Sequence, residues 1–306
     1  MSGFALEAGA SWRNLAWGFQ DGSADSAEDP DAILVDIDTE DMDEYKAGSA
    51  KIICYFSVGT VETWRDDVIA DMDAWMAVTV GNLEDWDEYW IDITSSAART
   101  LLKTRFERAA SLGCDAVELD NVDCYTADEC WPHIDGLSTA AQAKAAQIEF
   151  NKWQATTAHD LSLGIGLKNA LTIIDDLVDE YDFAINESCL QYGECDYYFP
   201  FLDADKAVLH TEYIWAVDAC SSETKMDTSS NTRILSTKYC TGSDGLCTRG
   251  NEWKTCFVDM TSNTYANFDP DTVIAPSAAS FRLRGPSSDI LFLWTFLLGL
   301  LFFMRR

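Results

Sequence analysis

Residues 114–125 read CDAVELDNVDCY. This stretch begins as a short apolar run, and the alternation of a β-strand places Val117 and Leu119 on one face. Glu118 and Asp120 then lie on the opposite face. If the apolar pair packs against helices, Glu118 points into a barrel and Asp120 lies at its rim. The stretch therefore predicts a strand that carries carboxylates to one end of a sheet.

Apolar, β-branched runs of the same kind recur along the chain. They are AILVDI (32–37), KIICYF (51–56), YWIDI (89–93), LGIGL (163–167), DFAIN (182–186) and KAVLH (206–210). Helical patterns separate several of them, at residues 94–112, 138–160 and 171–180. The first of these patterns has Thr94 or Ser95 as its N-cap and Gly113 as its C-terminal stop. Such an alternation of strands and helices indicates a parallel sheet that is buried on both faces.

Most of the apolar runs end in a polar residue or are followed by one. These residues are Ser57, Asp92, Asp120, Lys168, Glu187 and Glu212. A doubly wound open sheet and a closed barrel both fit the alternation, but only the barrel brings all carboxyl strand ends to one mouth, where active sites lie. The chain also lacks the glycine-rich phosphate loop of nucleotide-binding doubly wound folds. We therefore predict a (β/α)8 TIM-type barrel over residues 8–260, followed by a polar linker (261–289) and an apolar tail (290–306).

The apolar tail predicts attachment to a membrane. It reads ILFLWTFLLGLLFFM (290–304) and ends in Arg305 and Arg306. This run is short for a bilayer span, which needs about 20 residues. Small residues at 277–279, a polar spacer and an apolar end form the layout of a GPI-attachment signal. The terminal arginine pair suits a transmembrane anchor better, so both routes stay open.

The charge of the chain limits its partners. It contains 21 Lys and Arg against 52 Asp and Glu, which gives a formal net charge of −31. A surface this acidic repels phosphate backbones and so excludes a nucleic-acid partner. It attracts cationic partners or substrates instead.

The ten cysteines predict an oxidising compartment. No CxxC pair occurs and the three histidines lie far apart in sequence, so no zinc site is predicted. Short-range pairs and a C-terminal cluster instead predict disulfides. The candidates are Cys124, Cys130, Cys189, Cys195, Cys220, Cys240, Cys247 and Cys256. Cys54, inside an apolar strand, is predicted to be a buried free thiol. The start, MSGFALEAGASW, shows no signal peptide, so we interpret it as truncated or misassigned and expect an extracellular or surface-anchored protein.

Two strand ends carry the residue types that hydrolyse glycosides. Asp120 ends one apolar run and Glu187 ends another, and a pair of carboxylates over one mouth supplies an acid and a base or nucleophile. Two other interpretations of these acids remain open. They could be solvated loop residues, or Asp120 and Asp123 could hold a divalent cation through oxygen ligands.

The chain resembles glycoside hydrolase family 114, the endo-α-1,4-polygalactosaminidases, from about Trp12 to Cys256. The matching segments are ICYFSVGTVETWRDD (53–67), YWIDI (89–93), CDAVELDNVDCY (114–125), FNKWQATTAHDLSLGIGLKNA (150–170), FAINESCLQYGECDYYFPF (183–201) and KAVLHTEY (206–213). The departures are Cys124, where a glycine is common in the family, and the loop ADECWPHIDGL (127–137) with its additional Cys130.

The resemblance implies a β/α-barrel enzyme that cleaves within chains of α-1,4-linked galactosamine, part of it N-acetylated. It places the catalytic acids on Asp120 and Glu187. We assign Asp120 as the nucleophile and Glu187 as the acid/base, with no cofactor and no metal ion. The expected partner is a cationic amino-sugar polymer, and the chain is expected to act as a monomer.

Further residues are expected to line the substrate site. They are Tyr55, Ser57, Asp92, Asn121, Asp123, Lys168, Asn186 and Glu212. A cation at Lys168 would hold Asp120 ionised, or would form a structural ion pair. Glu212 could bind a substrate amine or support another site residue, and Tyr55 and Tyr192 could stack on sugar faces. A catalytically silent carbohydrate-binding barrel is the alternative function.

Overall fold

The computed structural model describes residues 3–16, 30–83, 86–212, 234–240 and 253–260. The strands in these ranges are β1 (Trp12–Asn14), β2 (Ala32–Asp36), β3 (Lys51–Ser57), β4 (Thr60–Glu62), β5 (Thr79–Leu83), β6 (Glu88–Ile91), β7 (Ala116–Asp120), β8 (Gly164–Lys168), β9 (Phe183–Glu187), β10 (Val208–Glu212), β11 (Ile234–Cys240) and β12 (Trp253–Asp259). The α-helices are α1 (Met42–Tyr45), α2 (Asp66–Ala70), α3 (Met72–Met76), α4 (Ser96–Leu112), α5 (Ala140–Asp160), α6 (Ile174–Leu177), α7 (Cys189–Tyr192) and α8 (Phe199–Asp203).

The main sheet has the strand order β1-β2-β3-β7-β8-β9-β10-β11-β12. Each neighbouring pair from β1 to β11 is parallel, and β12 pairs with β11 in the antiparallel direction. The eight parallel strands and their helices confirm the predicted (β/α)8 TIM-type barrel. The predicted linker and tail, residues 261–306, lie outside the described residues. No helix within the described ranges has the length and apolar character of a membrane span.

The longest helices begin and end where the sequence predicts. The Ser95 hydroxyl accepts a hydrogen bond from the backbone of Ala98 at 3.2 Å and caps α4. Gly113 ends α4 in the left-handed conformation, with φ of 84°. Thr139 caps α5 in the same way as Ser95 caps α4. These two helices pack on the outside of the barrel and bury its apolar outer face.

The segment YWIDI (89–93) does not belong to the barrel, contrary to the prediction. Its strand β6 pairs antiparallel with β4 and β5 in a separate three-stranded sheet. The reason is that β3 and β7 are direct neighbours in the barrel, and α4 alone makes the crossover between them. The chain from β4 to β6 therefore forms an insertion between β3 and α4.

The inside of the barrel is apolar at one end and charged at the other. Trp12, Ile53 and Phe183 fill the interior near the amino ends of their strands and are buried. Alternation along the same strands carries polar side chains such as Asp120 and Glu187 to the carboxyl ends. A polar mouth therefore lies above an apolar core.

The N-terminal segment packs against the apolar end. The backbone N–H of Ala207 donates to the carbonyl of Leu6 at 2.9 Å. Gly164 leaves room for this segment, because a Cβ at that position would lie 2.4 Å from a ring carbon of Phe4. This segment thus fills the amino end of the barrel.

Three disulfides occur among the described residues. Cys124–Cys130 and Cys189–Cys195 are two of the predicted short-range pairs. Cys54 is bonded to Cys114, so the prediction of a free thiol at Cys54 is wrong. The two residues lie 60 positions apart in sequence, but the pairing of β3 with β7 brings their Cα atoms to 6.0 Å. The side chains of Cys220, Cys240, Cys247 and Cys256 lie outside the described part of the structure.

The disulfide that joins β3 to the segment before β7 should contribute more to stability than a local one. Replacing Cys54 and Cys114 together by alanine should lower the free energy of unfolding by about 4 kcal/mol, against about 2 kcal/mol for the Cys124/Cys130 pair, since the entropy of loop closure grows with the loop. The loops span 60 and 6 residues. Reversible denaturant unfolding measures both. Equal losses for the two double variants would contradict the expectation.

Candidate active site

Three neighbouring strands bring one cation and three carboxylates together. The Lys168 ammonium lies 3.1 Å from Glu118 Oε1, 3.2 Å from Asp120 Oδ1 and 3.4 Å from Glu187 Oε2. The carboxylates come from β7 and β9, and β8 lies between these strands and supplies the lysine. The parallel pairing of β7, β8 and β9 therefore builds the cluster, as the strand-end argument predicted for Asp120, Lys168 and Glu187.

The charge of Lys168 is fixed by its surroundings. Burial opposes the charged form, but the carboxylates of Asp120, Glu187 and Glu118 outweigh that effect and raise the pKa of Lys168 well above its ordinary 10.5. The ammonium is therefore a permanent positive charge within the cluster. It balances part of the negative charge of the carboxylates around it.

The carboxyl groups differ in their access to solvent. The side chains of Asp120 and Glu187 are 22% and 26% exposed, whereas Glu118 is fully buried beneath them. Burial raises the pKa of Glu118 to about 7, against the attraction of Lys168. Burial, with a further contribution from the charge of Asp120, raises the pKa of Asp123 to about 6. Asp120 and Glu187 are thus the members of the cluster that a substrate can reach.

Both oxygens of Asp120 are held by hydrogen bonds. Oδ1 accepts from Lys168 and from the backbone N–H of Asn121 at 3.0 Å, and Oδ2 accepts from the Tyr55 hydroxyl at 2.9 Å. The Tyr55 ring is buried in the barrel interior, where it does not offer an open stacking face. Tyr55 therefore contributes to the site through its hydroxyl, a role that the sequence analysis did not foresee.

Glu187 is oriented by Asn169, a residue that the sequence analysis missed. The side-chain oxygen of Asn169 accepts from the backbone N–H of Glu187 at 3.0 Å, and its amide donates to Glu187 Oε2 at 3.5 Å. Asn186 donates to Asn169 and to the Tyr198 hydroxyl, at 3.3 and 3.0 Å. Asn186 is buried, so the structure places it behind Glu187. The only signal in the sequence was the place of Asn169, directly after Lys168.

A buried polar network supports the loop after Asp120. The Asn121 amide donates to Ser57 Oγ and Thr60 Oγ1, both at 3.0 Å. Thr60 in turn donates to Glu88 at 2.5 Å. Burial, with the nearby charge of Glu62, raises the pKa of Glu88 to about 8. Ser57 is fully buried in this network, so it supports Asn121 from below.

Each strand of the cluster is followed by a residue with left-handed backbone. Asn121 follows Asp120 with φ of 59°, Asn169 follows Lys168 with φ of 44°, and Ser188 follows Glu187 with φ of 65°. Non-glycine residues adopt this conformation at a cost in energy, and such strain is concentrated at functional sites. Each turn redirects the chain directly after a side chain of the cluster.

A second ionic cluster lies at the mouth and was not predicted. Arg65 is buried and donates to both carboxylate oxygens of Asp36, at 3.0 and 3.1 Å, and to Asp38 at 2.7 Å. It also forms an ion pair with Glu62. Its guanidinium lies over the Tyr55 ring, 5.9 Å from the centroid. The two clusters are therefore connected through Tyr55.

Two predicted site residues lie apart from the cluster. Asp92 belongs to the inserted segment after β6 and accepts hydrogen bonds from Thr94 at the start of α4. Glu212 ends a barrel strand, but alternation with Thr211 turns it to the outer face. There it is fully buried beside His210 and accepts from the backbone N–H of Leu190 at 3.1 Å. This position suits the supporting role that the sequence analysis left open for Glu212.

Among the described residues, no group of three or more His, Cys, Asp or Glu side chains is arranged to hold a metal ion. The alternative of a divalent cation on Asp120 and Asp123 also meets a physical obstacle. The Lys168 ammonium already contacts Asp120, and a divalent cation at the same carboxylate would be repelled by it.

The fold and the site together indicate a class of protein. It is that of β/α-barrel hydrolases with two accessible carboxylates at the mouth of the barrel. Residues 2–252 match the model of glycoside-hydrolase family GH114. The chain belongs to this family and is a glycoside hydrolase. No curated protein matches the chain.

Two solved structures show the similarity. The first is the crystal structure of Aspergillus fumigatus Ega3 in complex with galactosamine, with 27% identity and a TM-score of 0.64, covering 84% of this chain and 98% of that one. The second is a variant of the glycoside hydrolase domain of PelA from Pseudomonas aeruginosa, with 12% identity and a TM-score of 0.50, covering 67% of this chain and 83% of that one. The second similarity bears on the fold alone.

The buried carboxyl of Glu118 should make stability depend on pH. The folded protein keeps this proton up to about pH 7, whereas the unfolded chain releases it near the ordinary pKa of 4.5. The folded state therefore binds the extra proton between these values, and this group lowers stability as pH rises through that window. Glu118→Gln keeps an oxygen that can accept from Lys168 and should remove this part of the decline.

Denaturant unfolding near the two ends of this window measures the effect. The exposed Glu149 on α5 provides the control, since Glu149→Gln should leave the pH dependence of the wild type in place. A Glu118→Gln variant that loses as much stability with rising pH as the wild type would contradict the expectation.

Proposed function

We propose that this glycoside hydrolase cleaves within chains of α-1,4-linked galactosamine and N-acetylgalactosamine, with Asp120 and Glu187 as its catalytic carboxylates. One observation carries the proposal. The two partly exposed carboxylates of the cluster contact the same buried ammonium, at 3.2 and 3.4 Å. Such a pair over an open barrel mouth supplies the nucleophile and the acid that glycoside hydrolysis requires.

The roles follow from the contacts of each carboxylate. Asp120 accepts hydrogen bonds on both oxygens, from Lys168 and Tyr55, and these donors stabilise it as an anion. Asp120 is therefore the nucleophile. Glu187 contacts the ammonium at the longer distance, and its other described donor, Asn169, is neutral. Glu187 is therefore assigned the acid/base role.

The reaction takes place in two steps. In the first, Glu187 donates its proton to the glycosidic oxygen while Asp120 attacks the anomeric carbon, which gives a glycosyl ester and releases the first product. In the second, the Glu187 carboxylate takes a proton from water. That water attacks the anomeric carbon and frees Asp120. Two displacements retain the α-configuration in the product.

The spacing of the carboxylates favours retention. Asp120 Oδ1 and Glu187 Oε2 both contact the Lys168 nitrogen. The distance between the two oxygens therefore cannot exceed the sum of the two contact distances. For these two oxygens, a separation of about 5–5.5 Å, as in retaining enzymes, lies within this limit, and most of the 6.5–9.5 Å range of inverting enzymes lies beyond it.

Charge and similarity support an amino sugar as the substrate. Ega3, of which 98% is covered by the match, was crystallised in complex with galactosamine. Partly deacetylated polygalactosamine is a polycation, and the net charge of −31 attracts such a chain. The described disulfides are typical of an oxidising compartment, so we place the enzyme outside the cell or at its surface.

A catalytically silent barrel that binds carbohydrate is the second candidate function. It would not require both carboxylates to be held by dedicated donors around one lysine. The ordered contacts of Asp120 and Glu187 therefore favour the enzyme.

Amide variants test the proposal. Asp120→Asn and Glu187→Gln preserve shape but remove ionisation, and each should lower kcat on partly deacetylated α-1,4-galactosaminan by about 10²–10⁴-fold or more. Asp92→Asn is the matched control, because Asp92 lies outside the barrel cluster, and it should keep most of the activity. Full activity in both amide variants would overturn the glycosidase assignment of this pair.

Azide rescue distinguishes the two roles. Azide should restore part of the activity of Asp120→Ala by taking the place of the missing nucleophile, and the product should then be a glycosyl azide of the opposite anomeric configuration. If azide restores activity with inverted configuration only in Glu187→Ala, the roles of nucleophile and acid/base are reversed.

A further inference from the structure

The loop that follows Glu187 exposes two tyrosines. This β9 loop, residues 188–198, lies on the mouth side of the barrel because it begins where β9 ends. Tyr192 is 65% exposed and Tyr197 is 46% exposed, and both are among the few large apolar side chains on the surface of the described residues. The same loop buries Leu190 and Tyr198 almost completely. Leu190 and Tyr198 therefore anchor the loop in the core, while the Tyr192 and Tyr197 rings are exposed to solvent.

Both tyrosines are fixed close to the neighbours of Glu187. The backbone N–H of Tyr192 donates to the carbonyl of Ser188 at 3.2 Å, which places Tyr192 one turn of chain from the residue that follows Glu187. Tyr198, next to Tyr197, accepts a hydrogen bond from Asn186 at 3.0 Å. The loop that carries the two rings is thus tied to the residues directly before and after Glu187.

The base of the loop is rigid. The disulfide Cys189–Cys195 closes it, and both sulfurs belong to fully buried residues. The carboxylate of Glu212 accepts from the backbone N–H of Leu190 at 3.1 Å, and Glu212 is itself buried. Little conformational entropy remains to be lost when a ligand binds to such a loop.

We propose that Tyr192 and Tyr197 form a binding surface for the sugar chain beside Glu187, outside the subsite where cleavage occurs. This inference rests on the proposed function, and it names residues that hold the polymer. A pyranose ring presents an apolar C–H face that stacks on an aromatic ring, and a protonated amine is attracted to the ring face. The occupant is therefore a chain of galactosamine units with free amines.

Charge complementarity supports this occupant over a protein or a neutral glycan. Asp196 is exposed between the two tyrosines, and Glu194 is partly exposed on the same loop. A chain of net charge −31 with carboxylates beside exposed rings attracts a polycation. A neutral glycan would gain only the stacking contribution.

The test compares ring removal with ring retention. Tyr192→Ala and Tyr197→Ala should each raise KM for partly deacetylated α-1,4-galactosaminan by about 3–10-fold, and the double variant by more, with kcat changed less than about twofold. Tyr192→Phe and Tyr197→Phe keep the rings and should stay close to the wild type. Ile69→Ala removes another exposed apolar side chain, from α2, and should leave KM unchanged.

Binding measured without turnover keeps this inference separate from the proposed function. Calorimetry on Asp120→Asn, with and without both tyrosine-to-alanine changes, should show a weaker Kd for the polymer by the same factor. If the wild type fails to cleave the polymer while Asp120→Asn still binds it through the tyrosines, the proposed function fails and the binding surface stands. An unchanged Kd and KM in the double alanine variant overturns the binding surface.

Discussion

The active site depends on the contacts of one buried ammonium. Lys168 contacts Glu118, Asp120 and Glu187, and without its charge these three carboxylates would repel one another in a region of low dielectric. The desolvation of a buried ion costs several kcal/mol, and several close partners are needed to offset it. The cluster is therefore stable only as a unit, and it requires β8 between β7 and β9. The chemistry of the mouth therefore depends on the order of these three strands.

Barrel strands carry packing residues near their start and site residues at their end. Phe183 fills the interior near the start of β9, and Glu187 reaches the mouth at the end of the same strand, two alternations further on. Packing at the apolar end fixes the strands, and the strands fix the charged groups. In the turns directly after the strands of the cluster, Asn121, Asn169 and Ser188 adopt left-handed backbone. An apolar core thus provides the stability that a strained, charged mouth requires.

Much of this arrangement could be predicted from the sequence, and the failures have physical reasons. Asp120 and Glu187 were predictable because apolar runs mark strands and the barrel gathers their ends. For Glu212 two roles stayed open, because the apolar run alone does not tell which alternate residues face inward. Asn169 and the Cys54–Cys114 disulfide were missed because both depend on which strands become neighbours. Sequence separation carries no information on that register.

The acidity of the chain acts on two length scales. Over the surface, the net charge of −31 attracts a polycation, but salt screens such attraction beyond about 8–10 Å. Inside the mouth the balance is different, because Lys168 and Arg65 each neutralise carboxylates that would otherwise compete for the substrate amine. In the proposed function, the long-range field brings the polycation to the barrel, and Lys168 keeps its amines from pairing with Asp120 and Glu187. The proposed binding surface, Tyr192 and Tyr197, lies outside this neutralised centre, on a loop that also carries the exposed Asp196. An enzyme that must release and rebind a charged polymer gains from this division, because strong pairing at the reacting centre would slow each product release.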